Sequence, residues 1–81
     1  MAVRIHAHAI DRIHQRGATP DEVIQTVERG EAFPAKFNRT GFRLRFAFQG
    51  RWREREYQGK QIEAFAVRES EDWLVITVLV K

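Results

Sequence analysis

His8 and Arg12 stand four residues apart, a spacing that on a helix sets one side chain above the other beside an apolar stripe. An imidazole exchanges protons near neutral pH, and a guanidinium presents a fixed fork of donors that can hold a phosphate oxygen bidentately. The pair therefore has the makings of an acid–base and anion-holding site. The competing reading is that His8 caps or flanks the helix and Arg12 is merely solvated. Arg43 and Arg45 fall on the same side of a strand, about 7 Å apart by strand rise, close to the separation of successive phosphates along a single nucleic-acid strand. Glu63 projects from the next expected strand, either as a general base or as a cross-strand partner for one of those arginines.

Other chemistries find no foothold. His6 and His8 are two apart, and neither a cysteine nor an H-E-x-x-H arrangement accompanies them, so no metal site is expected. There is no glycine-rich phosphate loop and no serine or cysteine beside a plausible base, so no cofactor and no nucleophile triad are expected. His6 aligns with Ile10 and Ile13 and reads as structural, and His14 reads as a surface residue. Arg16, at the edge of the stripe, can pack its stem and bond nearby carbonyls with its head.

Charge adds to this picture. The net charge of +3 is unevenly spread: segment 36–60 holds eight of the 14 basic and two of the 11 acidic residues, a net +6, while the rest of the chain sums to −3. Lys36, Arg39, Arg43, Arg45, Arg51, Arg53, Arg55 and Lys60 make up that patch, which favours polyanions through phosphate contacts and counterion release; a solvated strand face is the plainer alternative. Lys60, Arg43 and Arg45 are the candidate RNA-binding residues.

The elements that must position these side chains follow from periodicity and punctuation. Ile5, Ala9, Ile10 and Ile13 recur at helical spacing, and Arg16-Gly17 ends the helix. Thr19-Pro20-Asp21-Glu22 is a capping box that opens a second helix with Val23, Ile24 and Val27 on its apolar side. Arg29-Gly30 repeats the stop signal. Residues 1–5 read as a short extended lead-in. Segment 32–37, with Pro34, reads as an edge strand or irregular crossing, and Asn38 to Gly41 as a turn. Phe42, Leu44, Phe46 and Phe48 alternate with Arg43, Arg45, Ala47 and Gln49, which predicts a strand with one aromatic and one cationic face. Segment 50–59 is a polar connection, 61–68 a strand, Glu69 to Asp72 a turn, and 73–80 a central strand of nearly continuous apolar character. The expectation is one α+β domain over 1–81, two N-terminal helices packed on a three- to four-stranded, mostly antiparallel sheet. With 43% hydrophobic residues and no cysteine, one small core must supply the stability. No apolar run approaches the roughly 20 residues of a membrane span and no signal peptide is apparent, so cytoplasmic residence is expected.

The pattern His8, Ala9, Arg12, Arg16, Gly17, followed by Glu22-Val23, Gly30-Glu31 and the closing Val75-Ile76-Thr77-Val78, resembles domain of unknown function family 4258. That family is similar in arrangement to the RelE, ParE and BrnT toxins, which set helices against an antiparallel sheet and act on RNA or gyrase in type II toxin–antitoxin systems. The charged connection 50–59 departs from the family's usual form. The resemblance implies a toxin that cleaves RNA without metal, by attack of a ribose 2′-hydroxyl on the adjacent phosphate, and an acidic antitoxin as partner. His8 would then be acid or base, Arg12, Arg43 and Arg45 would steady the phosphate, and Glu63 would orient or deprotonate. The alternative is a binding module that holds an acidic protein or nucleic acid on the same basic face and catalyses nothing.

Overall fold

The computed structural model describes residues 2–46, 51–52, 55–56 and 59–81. The elements run β1 (Val3–Ile5), α1 (Ala7–Gln15), α2 (Pro20–Arg29), β2 (Glu31–Pro34), β3 (Thr40–Phe46), β4 (Arg51–Trp52), β5 (Arg55–Glu56), β6 (Lys60–Glu69) and β7 (Asp72–Val80). The fold is α+β with two helices, as expected, but the main sheet has five strands in the order β1-β7-β6-β3-β2. It is mixed: β1 runs parallel to β7 and the other pairs are antiparallel. β4 and β5 pair antiparallel as a separate two-stranded sheet inside what the sequence reads as a polar connection. Phe48 lies outside the described residues.

The capping box of α2 and the stop of α1 are built as their punctuation dictates, while the end of α2 and the start of α1 depart from it. The Thr19 hydroxyl accepts from the Glu22 amide at 3.2 Å and the Glu22 carboxylate accepts from the Thr19 amide at 3.0 Å, so the capping box satisfies two otherwise orphaned donors. At the end of α1, Gly17 takes φ +82°, its amide bonds the His14 carbonyl, and the Ala18 amide bonds that of Ile13. This is the Schellman arrangement, for which glycine pays no Cβ penalty. Gly30 differs from the expectation of a repeated signal: its φ is −75°, and it is small because a Cβ there would lie 2.7 Å from the Arg43 carbonyl. The start of α1 also differs. Ile5 belongs to β1, and His6 is the cap, its Nδ1 accepting from the His8 amide at 3.2 Å.

The core lies between the helices and one face of the sheet. Ala9 and Ile13 of α1 and Val23, Thr26 and Val27 of α2 are buried, along with Phe42, Ile62, Ala64, Ala66, Val75 and Val78 from the strands. Ile10 is partly exposed, on the outer margin of the stripe. Ala64 and Ala66 are small residues in β6, and across them Phe42 of β3 and Trp73 of β7 meet edge to face with centroids 5.0 Å apart, a favoured aromatic geometry. Thr26, fully buried, donates its hydroxyl to the Glu22 carbonyl at 2.8 Å. The register of β6 against β7 shifts between Phe65 and Ala66 so that Ile76 is the extra residue. This bulge lets Val75 and Val78 both face the core, and the 73–80 run reads as continuous because positions outside the core set, such as Leu74 and exposed Leu79, are apolar as well.

Of the four strand residues expected to face the helices, Phe42 is buried, Leu44 and Phe46 are half-buried, and Phe46 packs at the margin of the core. Phe42→Ala is expected to cost about 3–5 kcal/mol and Phe46→Ala clearly less, because a cavity at the margin can be filled by solvent or neighbours. Urea titrations of the two variants give the comparison, and equal losses would contradict the described burial.

Candidate functional site

The strand pattern sorts the candidate residues by face. Even-numbered Phe42, Ile62 and Ala64 point to the helices, so Arg43, Arg45 and Glu63 point to the other side, where no helix packs among the described residues. Arg43 pairs in register with Glu63 on β6 and with Glu31 on β2. Its Nη2 lies 3.9 Å from Glu31 Oε1, and its guanidinium carbon sits 4.8 Å from the centroid of the Phe33 ring, within cation–π range. Phe33 in turn meets Phe65 edge to face at 5.9 Å. Gly41 makes this possible: it is the register partner of both phenylalanines, and a Cβ on it would sit 2.3 Å from the Phe33 ring. The ring lies where a side chain would stand.

Glu63 is 7% exposed, unusual for a carboxylate. Its Oε2 accepts from Gln61 Nε2 at 3.0 Å and from Lys81 Nζ at 3.4 Å, which compensates part of the desolvation. Arg45 is exposed and lies opposite Gln61 in the register. The open face therefore combines Arg43, Arg45 and Lys81 with two half-buried rings around one sheltered carboxylate.

His8 and Arg12 do not join this group. Both are exposed on α1, whose buried residues Ala9 and Ile13 face the opposite side of the sheet. The sheet separates the pair from Glu63, Arg43 and Arg45. His8 stacks on His6 with ring centroids 5.2 Å apart and planes inclined by 14°, a contact that arises because His6 is the extended cap rather than a helical residue. Among the described residues no group of three or more His, Cys, Asp or Glu is placed to hold a metal ion.

Lys60 is also apart from the two arginines. Its register partner is Phe46 on the helix side, and its Nζ donates to the Gly17 carbonyl at 2.7 Å and to Glu22 Oε1 at 2.9 Å. It ties β6 to the turn between the helices. Arg16 likewise donates to the Val78 carbonyl, on a stretch of β7 beyond the last residue paired with β1, in line with a head that bonds nearby carbonyls.

Three contributors to the open face are absent from the candidate residues drawn from the sequence: Phe33, Phe65 and Lys81. Phe33 sits in a four-residue strand ending in Pro34, too short to show alternation. Phe65 does alternate with Ala64 and Ala66, and that signal was available.

No protein-family model, curated protein or solved structure matches the chain. No helix among the described residues is long and apolar enough to cross a membrane.

Lys60→Ala is expected to destabilise the fold by about 1–2 kcal/mol, the scale of a charge-assisted hydrogen bond at a partly buried site, while leaving polyanion affinity within about twofold. Arg43→Ala is expected to do the reverse, because a lost phosphate contact weakens binding and flattens its salt dependence. Denaturant midpoints and RNA binding measured on both variants separate the two roles.

Proposed function

We propose that the open face of the sheet binds single-stranded RNA, the basic-module reading of the sequence. The observation that supports it is the Arg43–Phe33–Phe65 group: a cation stacked on a ring, that ring set edge-on to a second, with exposed Arg45 two residues along the same strand. Rings offer every base a stacking surface, and arginines spaced by a strand repeat meet successive phosphates. An acidic antitoxin of the kind expected for RelE- or BrnT-like toxins would cover the same cations and compete with RNA.

The second reading is a metal-independent ribonuclease toxin, and Glu63 favours it. A sheltered carboxylate beside two arginines suits removal of a proton from a ribose 2′-hydroxyl while the cations hold the phosphate. The oxygen attacks phosphorus, the bond to the 5′ oxygen breaks, and that oxygen takes up a proton, leaving a 2′,3′-cyclic phosphate. In this reading the centre uses Glu63, Arg43 and Arg45, and His8 and Arg12 serve α1 on the other layer.

Affinity for a labelled single-stranded RNA is expected to fall steeply from low to physiological salt and to drop in Arg43→Ala and Arg45→Ala more than in Arg4→Ala, whose side chain pairs with Glu69 at 3.2 Å. Salt-insensitive binding or equal losses would remove the proposal. If RNA is cleaved in EDTA, Glu63→Gln is expected to lower the rate about 10²-fold or more and His8→Ala by less than about twofold. The opposite order would return catalysis to α1.

A further inference from the structure

Phe37 breaks two local rules together. It is 81% exposed, and its φ is +61°, the left-handed region that a bulky L-residue seldom enters. Asn38 follows at φ +60°, and the Arg39 amide closes on the Lys36 carbonyl at 3.3 Å. The hairpin between β2 and β3 thus turns at Lys36–Arg39, two residues ahead of the Asn38 to Gly41 turn read from the sequence. Positive φ at both central positions is the type I′ form, for which Asn-Gly or Asp-Gly is the favoured pair. An aromatic residue at the first of these positions costs conformational energy and, left in water, returns no burial to the fold. A cation–π contact with Arg39 at so exposed a site offsets only part of this strain, and the remainder points to a role outside the fold.

The surroundings identify the chemistry of that role. The Arg39 guanidinium carbon lies 5.7 Å from the Phe37 ring centroid, and exposed Lys36 precedes the ring in the chain. A ring with one cation over it and another next to it in the chain, at the apex of a hairpin, matches a base with its flanking phosphates better than the apolar pocket of a protein, which would have to desolvate both charges. Phe37 is six residues from Arg43, a separation below the roughly 20 Å of a fully extended segment because the first three residues lie in the turn, so one nucleic-acid strand several nucleotides long can reach both.

We infer that Phe37 is a base-stacking residue, its ring taking one unpaired base of a single-stranded RNA while Lys36 and Arg39 hold the adjoining phosphates. The inference rests on the RNA-binding reading of the open sheet face and extends it to the hairpin tip.

Phe37→Asn tests it, because asparagine tolerates the left-handed conformation and removes the ring. The variant is expected to melt about 4 °C or more above the wild type as strain is relieved, and to bind a labelled single-stranded RNA about tenfold more weakly as one stack is lost. Phe37→Trp is expected to keep wild-type affinity and to change the emission of a fluorescent adenine analogue in the RNA. If Phe37→Asn binds as the wild type does while the Arg43→Ala/Arg45→Ala double variant loses affinity, the stacking role is overturned, the sheet face stands, and the ring is left to a protein partner. A lower melting temperature for Phe37→Asn would make the ring a fold contact and overturn the inference as well. Absence of RNA binding by the wild type would overturn both readings.

Discussion

Two helices can cover one face of a five-stranded sheet and no more. Because strand side chains alternate, that single layer divides every strand into residues that build the core and residues that meet whatever approaches from the other side. The core half is made of Phe42, Ile62, Ala64, Ala66, Val75 and Val78; the other half includes Arg43, Glu63 and Phe65. Fold and candidate site share the same backbone, so each fixes the other. The closest coupling is at Arg43, whose carbonyl occupies space that a Cβ on Gly30 at the end of α2 would need while its guanidinium lies over Phe33.

The same division changes what a run of positive charge means. Segment 36–60 looks like one patch in the sequence, yet Lys60 turns inward to the Gly17 carbonyl and Glu22, whereas Arg43 and Arg45 turn outward. Parity along a strand separates a residue that holds the fold from one that can hold a ligand. Glu63 shows the cost of placing a carboxylate on such a face: at 7% exposure it needs Gln61 and Lys81 as partners, because an unpaired buried charge would be strongly destabilising.

Features written within a few residues were legible in the sequence. The Thr19–Glu22 capping box, the Gly17 stop and the alternation of the strand at Phe42 all depend on local stereochemistry. What depends on distant partners was not. Ile5 fits a helical stripe by spacing but is taken by the pairing of β1 with β7, which leaves His6 as the cap. The bulge at Ile76 shifts the phase of the alternation along β7. His8 and Glu63 can be listed together as acid and base, but nothing local says that the sheet will stand between them. The turn at Phe37 was displaced because its residues violate the usual turn preferences.

The pairing of β1 with β7 also bears on the order in which the chain can assemble. Val3 lies beside Trp73 and Ile5 beside Val75, so the earliest strand to be synthesised has no docking place until the latest has left the ribosome. β2, β3, α2 and β6 can associate before that, but the flank of β6 that receives β7 stays open and α1 lacks its platform. Closing so long a loop is entropically costly and slow compared with helix formation or hairpin closure. The domain is therefore expected to reach its native state only after translation of its last strand, and until then the apolar side of α1, Ala9 and Ile13, is exposed to chaperones and neighbouring chains.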